Sequence, residues 1–417
     1  MIGTTANGAQ ALQDPDLSWV EQVTPEQLMH PQEIVARLRE QAPLAWVPAA
    51  AAYLATSWAV CHEIANDPEN FESLAIPWHE RVYRHPAIIN SEGEVHAHLR
   101  RALGTPVSAR AIRSQIESRM RPTAKALIQK LRDQERAELM ADYFEPISVR
   151  CVADSYGFFD VPTDTLRRWF HSIKTGAINT ATNEDGSFAN PAGFDAADQT
   201  REEIRSYLEL RSKDDPDEPD SVVARWLNAE TADGVRWSID YILPSMLVVL
   251  FGGLQEPGHA LGNTFLGLTT APEQLQRTIA DRTLLPRAIA EGLRWTAPLY
   301  GGPTRSAKRD LVYHGVPLKK GDVVRLVYGS ANHDSTEFEH PDRYDIDRAS
   351  HAHLAFGEGR HSCLGSAISP QIARVALEEL FSAFPHIALD PHKPAVSTGW
   401  PFHGPAQLHV ILDETNR

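Results

Sequence analysis

Cysteine is scarce in this chain: Cys61, Cys151 and Cys363 are the only three in 417 residues. An odd, widely spaced set argues against a disulfide framework and predicts a reducing compartment. Positive charge is in deficit. The formal net charge is -15 and neither end carries a basic low-complexity tail, which argues against nucleic acid or an anionic membrane as the main partner. Long apolar runs are also missing. The longest, around Tyr241 to Leu254, is too short to span a bilayer and contains Pro244. The N-terminal stretch MIGTTANGAQALQDPDLSWVEQV has no basic segment followed by an apolar run, so it does not read as a signal peptide. Internal repeats and low-complexity tracts are absent. These absences predict a cytoplasmic protein with no membrane segment.

What is present is a globular composition, 42% hydrophobic and 23% charged, on a chain long enough to bury a large core and enclose a cofactor. Helical apolar spacing dominates. It predicts helices over 34–40, 59–66, 111–132, 166–175, 196–212, 238–268, 285–295 and 371–384. Strand signals are few: 311–316 and 323–328, with Gly315 and Gly321 at the turns, and a closing strand over 407–412. The acidic, proline-bearing stretch 212–221 (SKDDPDEPDS) reads as a solvated loop between helices and not as a domain linker. Residues 1–20 read as a flexible arm. The expected architecture is one mainly α domain with a minor β region, spanning 1–417.

The most informative segment is Phe356-Gly-Glu-Gly-Arg-His-Ser-Cys363-Leu-Gly365. A cysteine thiolate that ligates a haem iron needs a tight turn that lets the backbone approach the porphyrin, and Gly357, Gly359 and Gly365 permit one. It needs backbone N–H groups aimed at sulfur. It also gains from a helix that starts just after it, here from Ser366 onward. Zinc is a weaker alternative. His351, His353, His361 and Cys363 lie close together, but their spacing fits no common zinc module and leaves the glycines unexplained. Cys61 and Cys151 sit in apolar helical contexts and read as inert core thiols.

The segment matches F-G-x-G-x-H-x-C-x-G at every fixed position, and the chain thereby resembles the cytochrome P450 superfamily of haem-thiolate monooxygenases, with their mainly helical fold. The resemblance implies haem b as cofactor, Cys363 as the iron ligand, His361 on a haem propionate and Phe356 beside the sulfur. The absence of a membrane anchor fits the bacterial, soluble type. Relatives often continue with Leu-Ala-Arg where this chain has Ile368, Ser369 and Pro370, which bears on the helix start and leaves the ligand untouched. Glu291 and Arg294, three apart on one helix face, with Arg343 as third member, correspond to a buried structural triad. His96 and Arg100, four apart on a helix, together with Arg305, correspond to propionate partners, for which cationic side chains suit the anionic groups. A locally basic segment (Arg100, Arg101, Arg110, Arg113, Arg119, Arg121, Lys125) is either a solvated helix face or a docking surface for an acidic electron-transfer partner. No flavin or iron–sulfur motif is present, so electrons are expected from a separate ferredoxin or flavin/iron–sulfur reductase.

Relatives carry Gly-x-Asp/Glu-Thr in the oxygen-activating helix. Here the sequence is Gly252-Gly253-Leu254-Gln255-Glu256-Pro257, with Gln255 at the acid position and Glu256 at the alcohol position. Pro257 lacks an N–H and is expected to widen a local kink. A carboxyl group at Glu256 is placed to move the proton that O–O cleavage requires, and to deprotonate hydrogen peroxide. The plainer reading is that Glu256 only hydrogen-bonds within the kink.

The segment Gln-Glu-Pro-Gly-His259, with 287–296, 328–334 and 399–405, resembles a bacterial subgroup that O-demethylates the lignin-derived methoxyphenols guaiacol and syringol. By position, its small aromatic substrate would meet Tyr83, Ile89, Ala177, Val248, Gly252, Leu299, Gly302, Pro303 and Phe402. Guaiacol-type relatives carry Phe at the Ala177 position and larger residues at Gly302. The smaller side chains here leave room for a second methoxy group, unless Trp78 or Tyr83 refills it, so syringol is expected first and guaiacol second. The implied reaction hydroxylates the methoxy carbon, and the hemiacetal collapses to a phenol and formaldehyde. The alternatives are hydroxylation of another aromatic, a terpenoid or a fatty acid and, in another class, a haem-thiolate sensor without turnover.

Overall fold

The computed structural model describes residues 16–73, 77–177, 190–230, 234, 236–349 and 352–412, excluding the side chains of 77–79 and 254. Most of the expected flexible arm, the Trp78 side chain and His351 therefore lie outside the described residues; within 16–20, a short 3-10 helix begins at Ser18.

The architecture is organised around one helix, Ile239–Thr270. Its start is specified locally. The Ser238 side chain accepts the Tyr241 N–H, and Asp240 places negative charge in the first turn, at the positive end of the helix dipole. Its length and apolarity would suit a membrane span, but about half of its apolar stretch is buried against protein. The helices Glu145–Ser155, Thr163–Ala177, Leu285–Trp295 and Ser369–Ala383 all pack on it. The helix is unbroken through Pro257. A proline there cannot donate to the carbonyl one turn back, and that carbonyl, on Gly253, instead accepts the Ser148 hydroxyl from Glu145–Ser155 at 3.5 Å. A neighbouring side chain thus meets part of the need that the expected kink would have created.

The other helices expected from periodicity form with boundaries within a few residues: Gln32–Gln41, Trp58–Ala65, Ala109–Leu131 with one π-turn at Ile116–Met120, and Pro191–Arg211. Sheet is more extensive than the sequence signals. A five-stranded sheet runs in spatial order Leu44–Val47, Ala52–Ala55, Val323–Leu326, Thr304–Ala307, Phe71–Ser73. Its pairings are antiparallel except for the parallel contact of Ala52–Ala55 with Val323–Leu326. The strand over Thr304–Ala307 brings Arg305 into the interior.

Cys61 and Cys151 are buried in two different hydrophobic clusters. Burial raises both thiols far above their ordinary range, because a thiolate there would lose its hydration, and the Arg150 charge near Cys151 offsets only part of that. We expect neither to react with a thiol-directed disulfide reagent at pH 8 in the native holoprotein, and both to react once denaturant unfolds it. Rapid native labelling at either site would contradict this packing.

Candidate active site

The cysteine loop is built from two short 3-10 turns, Leu354–Phe356 and Gly359–His361, that lead to Cys363. The Cys363 N–H donates to the Phe356 carbonyl at 2.8 Å, closing the loop on itself. Gly359 has φ +70°, and a Cβ there would stand 2.3 Å from the Ala65 carbonyl oxygen, so no other residue lets the loop pass this close to helix Trp58–Ala65. The Gly365 N–H points at the Cys363 sulfur at 3.2 Å. The expected helix after the cysteine starts late: a 3-10 turn, Leu364–Ser366, comes first, and the α-helix runs from Ser369 with Pro370 in its first turn. Cys363 is accessible to solvent-sized contact, yet burial pushes its thiol up to about 11. Both hold for a side chain that opens into an internal chamber walled by protein. Its N–H partner Gly365 and the cation Arg100 pull the thiol the other way, and Glu256, whose charge is felt at the sulfur, pushes it up.

The loop is held from beneath by a buried ion cluster. Glu291 accepts Arg294 through both oxygens at 2.8 Å. The third member differs from expectation. Arg343 is exposed and contributes only its backbone carbonyl, whereas Arg348 brings its Nε to Glu291 at 3.1 and 3.2 Å. The turn after Tyr344 decides this, because Asp345 N–H also binds Glu291 and carries the chain so that position 348, not 343, faces inward. Arg294 further donates to the Asn332 and Pro341 carbonyls, and Asn332 Oδ1 accepts the Leu354 N–H at 2.7 Å. The cluster thus fixes the first residue of the cysteine loop.

Above the loop, His96 is buried with its ring 4.2 Å from that of His361, and its Nε2 has no partner among the described residues. Burial, with the charges of His361 and Arg100, holds His96 down at about 4. His361 pairs with Glu92 at 3.1 Å, as does Arg360 at 2.8 Å. Glu92 was not anticipated; only its position just before helix Gly93–Gly104 marks it. Arg100 spends both terminal nitrogens on Ser362, at 2.7 and 2.8 Å, and so ties that helix to the cysteine loop. Arg305 is buried and pairs with no carboxylate among the described residues. Desolvation lowers its pKa, the signature of a cation awaiting an anion.

The chamber's far wall comes from the central helix. Gly252 leaves space in front of Glu256, whose Oε1 would lie 3.6 Å from a Cβ at 252. Glu256 is half-buried, its buried Oε2 has no partner among the described residues, and desolvation raises it to about 8. Its charge is also felt at buried Tyr83. Gln255, in contrast, turns to His259 (Nε2 to Nε2, 3.3 Å). The Ile88 N–H on Ser245 Oγ at 3.0 Å brings Ile89 to the central helix, which also carries Val248. Leu299 pairs with Phe402 in a β-bridge, and the Pro303 carbonyl accepts the Leu326 N–H. Two aromatics were missed: Phe251 lies edge-on to Phe402 at 5.3 Å, and Phe170 stacks near Phe251 at 6.3 Å. Phe251's place beside Gly252 was the available signal. Ala177 is buried at the end of Thr163–Ala177. Gly302 does not widen the chamber as expected. Its φ is +60°, and a Cβ would sit 1.4 Å from the Leu326 carbonyl oxygen, so its smallness is a demand of the backbone against a strand. Phe356 lines a small cavity of about 110 Å³ with Ile289 and Leu293.

A family model for cytochrome P450 matches residues 195–401. Over that stretch the chain is similar to the cytochrome P450 family, and it shares that family's fold. It is 28% identical over 305 residues to cytochrome P450 107B1 of Saccharopolyspora erythraea, covering 73% of this chain and 71% of that protein. It is 29% identical over 326 residues to a C-19 steroid 1alpha-hydroxylase of Sorangium cellulosum, covering 77% and 80%. Its fold matches that of P450BioI in complex with an acyl carrier protein ligated to hexadec-9Z-enoic acid, at a TM-score of 0.81 and 19% identity over 93% of this chain and 100% of that one. Proteins of that family are haem b monooxygenases, which are oxidoreductases, and those of the bacterial type receive electrons from a separate redox partner such as a ferredoxin.

The residues present fit that cofactor. An accessible sulfur inside the protein suits an iron ligand. The unpartnered His96 Nε2 and the buried, carboxylate-free Arg305 suit the anionic propionates. Removing one partner of a buried ion cluster costs about 3–5 kcal/mol. We therefore expect Arg348→Ala to lower the denaturant midpoint of the holoprotein accordingly and to weaken haem retention, and Arg343→Ala to change both little. Equal losses in the two variants would return Arg343 to the triad.

Proposed function

We propose that this P450 O-demethylates a lignin-derived methoxyphenol, syringol first and guaiacol second, to a catechol-type phenol and formaldehyde, and that residues 1–417 act as one cytoplasmic haem-binding unit. The observation that carries the reading is an aromatic slot, Phe251 edge-on to Phe402 with Tyr83 6.2 Å from Phe251, beside a buried acid, Glu256. Flat apolar walls suit a phenol ring and fix its orientation. Buried Ala177 supports the larger substrate; Gly302 no longer does.

Bound haem b supplies an iron that activates oxygen for insertion into a C–H bond. The protein's own contribution is positioning and proton management. Phe251 and Phe402 hold the ring so that a methoxy carbon faces the chamber floor at Cys363. Glu256, raised by burial to about 8, is a neutral acid at pH 7 and can donate a proton; above pH 8 it is a carboxylate and can take one from hydrogen peroxide. This dual capacity supports peroxide as a substitute for reductase and oxygen. For the electron-transfer partner, Arg101, Arg110, Arg113 and Lys125 are the candidate contacts, since they stay exposed and unpaired among the described residues. Arg119 and Arg121 are instead spent on Asp220 and on Glu117, Glu378 and Glu379. A second reading, hydroxylation of a bulkier aliphatic substrate, is supported by relatives named as a C-19 steroid 1alpha-hydroxylase and a vitamin D(3) 25-hydroxylase.

Titrating the ferric holoprotein with syringol should convert the Soret band almost fully from low to high spin, with a weaker shift for guaiacol. No shift with either, and a shift with a steroid, would transfer the assignment to the second reading. Peroxide-driven formaldehyde release from syringol should climb as pH rises through about 8, where Glu256 ionises. Glu256→Ala should flatten that profile and slow the reaction on the order of 10- to 100-fold. Equal rates in the variant and the parent would remove the carboxyl from the chemistry.

A further inference from the structure

Two short segments form a partition with a cavity on each side. Leu299 pairs with Phe402 in an antiparallel bridge. The Gly301 N–H on the Pro401 carbonyl and the His403 N–H on the Pro298 carbonyl, each at 2.9 Å, flank it. Successive side chains along such extended segments point to opposite faces. Leu299 and Phe402 therefore share one face, where Phe402 meets Phe251 on the chamber wall. Tyr300 and His403 share the other, with their rings 5.2 Å apart. That second face lines a surface cleft of about 630 Å³, together with Trp295, Ala395 and Ser397. Small-molecule sites occupy roughly 300–1,000 Å³, so the cleft is of ligand size. Asn263 of the central helix donates to the Thr296 and His403 carbonyls, at 2.8 and 3.4 Å, and ties the partition to that helix.

The chemistry of the lining selects among small molecules. Among the described residues it includes no lysine or arginine, and its carboxylates are those of Asp342 and Asp390, so an anion is disfavoured. His403 commits both ring nitrogens, to the Gly399 carbonyl and to the Gln32 amide, each at 3.0 Å. Asp390 is bonded to Arg136. Tyr300 is the remaining buried polar side chain of the lining, and its hydroxyl makes no hydrogen bond among the described residues. A buried hydroxyl is normally bonded, which marks this one as a waiting partner.

We propose that the cleft is an effector site for a small neutral phenol, back to back with the chamber. The ring of the ligand lies against Trp295 and Tyr300, and its hydroxyl exchanges a hydrogen bond with that of Tyr300. Tyr300 follows Leu299 in the chain and His403 follows Phe402, so a ligand that braces one face of the partition also steadies the other. Occupancy of the cleft thereby tightens the hold on a chamber ligand, and linkage makes the effect reciprocal. The site stands whatever substrate the chamber takes.

The test fills the chamber first. In the holoprotein, 4-phenylimidazole binds the haem iron through nitrogen and occupies the chamber with its ring, independently of the methoxyphenol reading. With the chamber so filled, equilibrium dialysis should show one equivalent of phenol bound per chain and no binding of benzoate. Ala395→Trp, which fills the cleft from an exterior loop, should weaken phenol about tenfold or more. Tyr300→Phe, which keeps the ring and removes the hydroxyl, should weaken it about three- to tenfold. Both variants should give the parent's Soret titration with 4-phenylimidazole when phenol is absent, which shows that the chamber is intact. Coupling is read from the release of 4-phenylimidazole into an imidazole chase. Saturating phenol should slow that release about threefold or more, whereas a phenol that merely competes in the chamber leaves the rate unchanged. No phenol bound with the chamber filled, equal binding of benzoate, or parent-like binding in Ala395→Trp would each overturn the site. Release that is unchanged or faster would overturn its link to the chamber.

Discussion

The carboxylate of Glu291 is the point from which the catalytic architecture hangs. It is buried between two guanidinium groups, from Arg294 in its own helix and Arg348 fifty-seven residues on. Three ionised groups out of water are costly, and the arrangement stands only because the remaining donors of both arginines are also spent. They go to the carbonyls of Asn332, Pro341, Glu339 and Arg343. These backbone groups belong to the segment that leads into the cysteine loop, so the ion cluster converts electrostatic satisfaction into loop position. Asn332 passes that position to Leu354, and Arg100 clamps the loop from the opposite side through Ser362. Cys363 is therefore aimed by charges that never touch it.

The central helix reconciles two demands that usually conflict. Its apolar sides must seal the core, and one face must keep polar groups beside the chamber. The cost of Pro257 is softened by a hydroxyl from a neighbouring helix, and Glu256 is tolerated by staying protonated at neutral pH. The same burial that makes Glu256 a weak acid underlies the role proposed for it, since a group poised near the working pH can move a proton in either direction. The acid–alcohol arrangement that relatives place here is replaced by an amide that turns away and a carboxyl that faces inward.

Part of this was legible in sequence. The haem-thiolate loop, the long apolar helix and its neighbours depend on local rules: glycine where the backbone must turn, apolar side chains at helical spacing, a cysteine with a fixed neighbourhood. Such rules act over a few residues, so they survive without tertiary information. The small strands escaped because segments of three or four residues carry little alternation, and their pairing joins residues up to nearly three hundred positions apart.

Sequence alone thus determined the candidate ligand, the family resemblance and the helical scaffold, because each is written in contiguous residues. Tertiary structure decided the partners. Whether Arg343 or Arg348 reaches Glu291 depends on how the chain turns after Tyr344, and whether Gly302 opens space or merely lets a strand pass depends on where Leu326 lies. The protonation of Glu256 follows from how much protein surrounds it, and the joining of Asn263 to His403 from contacts across 140 positions of chain. Burial and long-range hydrogen bonding are properties of the packed molecule, and no local window contains them.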